Sequence, residues 1–169
     1  MPAGSTYTPI ATYTVSSAQS SYTFSSIPST YTDLVLVCSL KRTTGGAELF
    51  ARLNGDTGSN YSDTYFYGTG SSAASSRDSN LSAGMYFGVT GNNDFGVFIL
   101  NLQNYSNTTT FKTAISRFSN ANPVSGYAAV GAFVSLWRST SAVTSIEIRD
   151  TSSSFVAGST FTLYGITAA

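Results

Sequence analysis

The stretch Arg52 to Gly68, RLNGDTGSNYSDTYFYG, gathers two carboxylates, two carboxamides and four aromatic rings within 17 residues. Three kinds of chemistry use such a set. A calcium loop takes oxygen ligands at alternate positions, then a glycine and a distant Glu. Asn54, Asp56 and Asp63 carry oxygens, but the alternate position after Asp56 is Gly58 and no terminal Glu follows, so the metal pattern is incomplete. A saccharide site lays aromatic faces on sugar rings and takes the hydroxyls with amides or carboxylates; Tyr61, Asp63, Tyr65 and Tyr67, with Asn60, supply both. A structural turn needs only positive-φ positions and side chains that close on their own backbone, and Asn54-Gly55 and Thr57-Gly58 meet that need. The turn is the reading these residues favour, and no metal or cofactor is expected.

Trp137 and Arg138 form a second candidate, at the end of the longest apolar run, YAAVGAFVSLW. The ordinary placement puts Trp137 in the core and Arg138 at its edge. The functional alternative makes the pair an interface anchor, because Trp and Arg are frequent hot spots. Tyr61, Asp63, Tyr65, Tyr67, Trp137 and Arg138 are thus the candidate interface or glycan contacts.

Catalytic residues are not indicated, and the expectation is a protein that is not an enzyme. There is no histidine, which removes the usual general base and the commonest metal ligand. Asp33, Asp56, Asp63, Asp94, Glu147 and Asp150 lack any surrounding acid–base motif, and the Gly-rich GVTG and GTGSS carry no phosphate-loop lysine. Cys38, the single cysteine, lies inside LVLVCSL and is expected to be a small buried hydrophobe. The sequons at Asn60, Asn104 and Asn107 carry no weight in a chain so rich in Ser and Thr.

Composition sets the elements that must hold these groups. With 29 serines and 23 threonines among 169 residues, and only 9% charged residues, the surface must be polar through hydroxyls rather than charges. Eleven Tyr and eleven Phe argue for a packed core and, with Thr and Val, for strands. Eight basic and eight acidic residues cancel, so no nucleic-acid-binding surface is expected. Apolar runs fall far short of the roughly 20 residues that span a bilayer, and MPAGSTYTPI does not read as a signal peptide, so no membrane role is expected.

Short alternating or apolar runs between turn residues predict a single-domain, all-β antiparallel sandwich, jelly-roll-like, with about 8–10 strands. DLVLVCSL (33–40) reads as a central strand, MYFGV and DFGVFILNL as a hairpin joined by TGNN, and FKTAISRFS as an alternating strand with Phe111, Thr113, Ile115 and Arg117 on one face. VTSIEIRD and STFTLYGI close the chain. SSAASSRDSNLS, the only candidate for a helical turn, reads better as loop. Residues 1–19 are expected to be an extended segment or arm able to add a strand to a neighbour's sheet, and 20–169 the sandwich domain.

The blocks YTFSSIPSTYTDLVLV, RLNGDTGSNYSDTYFYG, NYSNTTTFKTAISRFS, VGAFVSLWRSTSAVTSIEIRD and FVAGSTFTLYGI, spanning about residues 21 to 166, resemble a family of virion proteins of tailed bacteriophages, notably marine and cyanobacterial ones. In that family the module stands alone or ends chains resembling tail fibres. The resemblance implies a late structural protein on the surface of the phage particle, assembled in the host cytoplasm. The expected role is a cement or decoration protein bound to the major capsid protein or other virion proteins, as a homo-oligomer such as a trimer. The alternative is a tail-fibre or receptor-binding, lectin-like module. No catalytic residues come with the resemblance.

Overall fold

The computed structural model describes residues 6–167 and shows, among them, twelve strands and no helix. The strands are β1 (Tyr7–Thr14), β2 (Ser21–Phe24), β3 (Asp33–Leu40), β4 (Ala47–Leu53), β5 (Tyr61–Gly68) and β6 (Ala73–Leu81). They continue as β7 (Met85–Thr90), β8 (Gly96–Gln103), β9 (Lys112–Ser119), β10 (Val130–Trp137), β11 (Ile146–Asp150) and β12 (Thr160–Ile166). Two antiparallel sheets result, one of eight strands in the order β1-β12-β3-β8-β9-β10-β5-β6 and one of four in the order β2-β11-β4-β7. The protein is an all-β sandwich.

Alternation decides which side chains enter it. Along β9, Lys112, Ala114, Ser116 and Phe118 are buried while Thr113, Ile115, Arg117 and Ser119 are exposed. On β12, Phe161 and Leu163 point inward, and on β3 Leu34, Leu36, Cys38 and Leu40 do the same. The small sheet adds Leu49, Ala51, Leu53, Met85, Phe87, Ile146 and Ile148 from the opposite side. Cys38 is free and buried within this core, and burial pushes its thiol far above the ordinary range.

Aromatic contacts show how far the small sheet extends. At one side Tyr22 of β2 stacks on Tyr13 of β1, with ring centroids 3.9 Å apart and planes at 2°. At the other, Phe87 of β7 meets Phe98 of β8 at 6.1 Å and Tyr86 meets Phe133 of β10 at 5.0 Å. β6 and the later half of β5 lie beyond that edge, whereas Tyr61 and Asp63 at the start of β5 are buried, Asp63 under Tyr86 of β7. β6 is correspondingly exposed along nearly its whole length.

Three sequence expectations are revised. Twelve strands form, where eight to ten were expected. The segment read as loop around SSAASSRDSNLS is β6, which pairs with β5 although neither of its faces is buried. TGNN does not close a hairpin, because β7 and β8 belong to different sheets and the loop crosses between them. Within the expected arm, residues 7–14 form β1 and pair with β12 of the same chain from Tyr7↔Ile166 to Thr14↔Thr160, and Val15 is buried. Residues 1–5 of that segment lie outside the described residues.

One buried ion pair ties the loops at one end of the sandwich. Arg42, just after β3, donates through Nε to Oδ2 of Asp150 and through Nη2 to its Oδ1 at 3.0 Å. Asp150 Oδ1 also accepts the backbone N–H groups of Ser152 and Ser153, both at 2.9 Å. Breaking such a pair leaves a charge buried without its partner, which costs about 3–5 kcal/mol. Arg42→Ala is therefore expected to lower the unfolding free energy by that order in urea titration; a change within about 0.5 kcal/mol, typical of neutral surface substitutions, would show that the pair does not brace the fold.

Candidate functional site

The loop that opens the candidate stretch is held entirely by its own fold. Asn54 and Gly55 both take positive φ (51° and 67°), the backbone that Asn and Gly tolerate best. Asn54 Oδ1 accepts from the backbone N–H of Thr144 (2.8 Å) and Ser145 (3.1 Å), and its Nδ2 donates to Ala142 O at 2.8 Å. Asp56 accepts from Gly58 N at 2.8 Å, Asn60 Nδ2 at 2.9 Å and Trp137 Nε1 at 2.6 Å. Burial works against the charge on Asp56, but the hydrogen bonds from Trp137, Asn60 and Gly58 outweigh it and hold the carboxyl below its usual range. These groups satisfy one another, and the loop is a structural turn.

The six candidate residues therefore separate. Tyr61 and Trp137 are buried, their rings stacked at 6.3 Å, with the Tyr61 hydroxyl on Leu53 O and Asp56 O. Their rings present no surface to a partner. Arg138 sits at the edge, donating to Ser59 O (2.6 Å) and Asn80 Oδ1 (3.1 Å). Asp63 is buried below β7. Only Tyr65 and Tyr67 come together in an open place.

That place exists because β5 overhangs the small sheet. With no strand opposite them, the inward-facing Tyr65 and Tyr67 stay half-exposed, and Tyr86 at the edge of β7 leans across to meet Tyr65 at 5.6 Å. Phe133 backs them from β10, 5.2 Å from Tyr65. Glu48 of β4 and Tyr127 from the β9–β10 connection close a hollow of about 190 Å³. Tyr127 reaches this position only because residue 46 is glycine: a Cβ there would fall 2.8 Å from its ring. A second cleft of about 550 Å³ adjoins it, sharing Tyr67, Gly126 and Tyr127 and otherwise walled by Thr69, Ser71, Ser72 and 123–125. Sequence reasoning found Tyr65 and Tyr67 but not Glu48, Tyr86 and Tyr127, which arrive from three other segments.

The outer face of the same strands is a different surface. The register aligns Val97, Ser119, Val130 and Gly68 in one row, then Ile99, Arg117, Ala132 and Phe66, then Asn101, Ile115, Val134 and Thr64. Phe66, Val97, Ile115, Val130 and Val134 are each 50–63% exposed, with nothing among the described residues packed over them. Arg117 is the one charge that β8, β9, β10 and β5 place on this face.

Among the described residues, no group of three or more His, Cys, Asp or Glu is placed to hold a metal ion, and no helix is long and apolar enough to cross a membrane. The chain matches no protein-family model and no curated protein.

Asp63 gives a pH test of this region. Its Oδ1 accepts from Tyr86 N at 3.2 Å, while Oδ2 meets no hydrogen-bond geometry with any of the described residues. Burial, reinforced by the charge of Asp78 and opposed by the Ser135 hydroxyl, pushes its pKa up to about 7. A raised carboxyl pKa means the folded state holds a proton that the unfolded state has released, so this contribution is complete below about pH 4 and is lost as pH rises through 7. Stability should fall between pH 5 and pH 8 by on the order of 3 kcal/mol at most, and Asp63→Asn should flatten that fall. Thermal melts showing the same slope in both proteins would contradict the assignment.

Proposed function

We propose that this protein is a non-enzymatic structural protein of a tailed-bacteriophage particle, a cement or decoration protein that docks on the major capsid protein and braces the shell. The observation that carries docking is the uncovered apolar face of β8, β9, β10 and β5. Contiguous exposed apolar surface of this kind marks an interaction site, and a single charge at its centre leaves little to desolvate on contact. The resemblance of five sequence blocks to phage virion proteins supports the particle as the setting. Nothing about the buried Asp63, or about the turn-bound Asp56, suggests an acid–base pair open to a substrate.

We read the strand order as an enlarged jelly roll. Without β5, β6, β9 and β10, the remaining strands form two four-stranded sheets in the order 1-12-3-8 and 2-11-4-7, the eight-stranded, two-sheet pattern found in capsid and lectin domains. The four extra strands extend the large sheet past β8, and they carry most of the apolar face. Docking through them, repeated by symmetry and strengthened if the chain forms trimers, would add many modest contacts into stable attachment.

The test is attachment to particles. Ile115→Glu with Val134→Glu places two charges on the apolar face at exposed positions, so the fold should be kept to within about 1 kcal/mol. Co-sedimentation with phage shells lacking the protein should be lost in the double variant and retained by the parent chain, at hundreds of copies per particle. Equal binding by both proteins would overturn the reading. A few to a few tens of copies would move the protein to the tail, the position that suits a receptor-binding module.

A further inference from the structure

We infer that the hollow under the β5 overhang and the cleft beside it form one binding groove for a neutral oligosaccharide, with Tyr65, Tyr67, Tyr86 and Tyr127 as the stacking surface and Glu48 as a hydroxyl acceptor. This goes beyond docking and does not depend on it, because the groove and the apolar face lie on opposite sides of β5.

A sugar ring offers two things to a protein, a weakly apolar face of C–H groups and a rim of hydroxyls. The hollow matches both. Its wall is aromatic, and the rings of Tyr65 and Tyr67 stack with centroids 6.2 Å apart and planes at 25°. That wall is held in place, since Tyr65 also packs on Phe133 and Tyr86. A surface fixed before binding loses little freedom when a ligand arrives.

Size and charge narrow the ligand. About 190 Å³ is below the roughly 300–1,000 Å³ of sites for drug-sized molecules and suits a single ring. The adjoining cleft gives room for the chain to continue, along a wall of Thr and Ser hydroxyls and backbone. Among the described residues, neither lining includes a Lys or Arg, and Glu48 is the only charge. Phosphate, sulfate and uronate groups would therefore meet a carboxylate with no cation to balance them. A neutral glycan meets no such penalty, and Glu48 accepts its hydroxyl protons. Tyr127, still 37% exposed, stands at the junction of the two cavities, where a ring passing from one to the other would lie on it.

The experiment uses the intact chain on an array of neutral and anionic glycans, followed by calorimetric titration with the neutral oligosaccharide retained best. Binding of neutral glycans is expected, with affinity lowered at least about tenfold by Tyr127→Ala and by Glu48→Gln. Both changes are at exposed positions, and circular dichroism checks that the fold is kept. The Ile115→Glu, Val134→Glu variant should bind the same glycan as the parent chain does, which separates this groove from the docking face. Retention of no glycan, retention of anionic glycans alone, or unchanged affinity in both groove variants would overturn the proposal.

Discussion

The smaller sheet ends at β7, which covers Tyr61 and Asp63 at the start of β5, so Tyr65 and Tyr67 further along β5, and β6 beside them, have no strand opposite them. Everything distinctive about the molecule follows from that mismatch. Where the sheets overlap, Leu, Phe and Ile side chains from both are buried in one continuous core. Where they do not, the same inward positions carry tyrosines, which can pack a ring and still present a hydroxyl to water. The tyrosine hollow is thus the unfinished edge of the core. The opposite face of the extension carries valine, isoleucine and phenylalanine in register, exposed among the described residues. One extension supplies two surfaces of different chemistry.

Rigidity in this region comes from hydrogen bonds to the Asn54 amide and the Asp56 carboxylate. Asn54 and Asp56 fasten the β4–β5 loop to the β10–β11 connection and to Trp137, which fixes where β5 begins. At the other end, the Arg42–Asp150 pair closes the loops after β3 and β11 around carboxylate oxygens that also take two backbone N–H groups. With charges at 9% of residues, few ionic contacts are available, and a hydroxyl-rich exterior leaves most of the surface polar but less costly to desolvate than a charged one. That combination suits attachment to other molecules.

The class of fold was legible because burial imposes period two wherever a strand has one face in the core. DLVLVCSL gave β3 with its observed ends, and VTSIEIRD placed Val143, Ile146 and Ile148 where all three are buried. Alternation in FKTAISRFS was equally plain, yet it could not say which side is inside. The bulky set, Phe111 and Ile115, faces out, and Lys112 goes in, its ammonium donating to the carbonyls of Thr110 and Thr140. β6 left no pattern because neither face is buried, so nothing constrained its serines. TGNN has the composition of a hairpin turn, but local composition does not say whether the next strand returns to the same sheet. The hollow was half visible. Tyr65 and Tyr67 share one strand and one face, whereas Glu48, Tyr86 and Tyr127 join them only through tertiary packing, across sequence separations that no local motif records. Tyr61 and Trp137 read as possible contacts and proved to be the buried braces of the turn.

The central claim is that the extension formed by β9, β10, β5 and β6 is the working part of the molecule, gripping a partner with its outer side and leaving the aromatic groove open. A reconstruction of the phage particle that we propose carries this protein, at a resolution that traces strands, tests this directly. The account predicts that the outer face of β8, β9, β10 and β5 lies against a shell subunit, with the groove between β5 and β7 facing solvent. A particle in which that face is bare and the protein attaches through β2 and β11, or one that lacks the protein altogether, would contradict it.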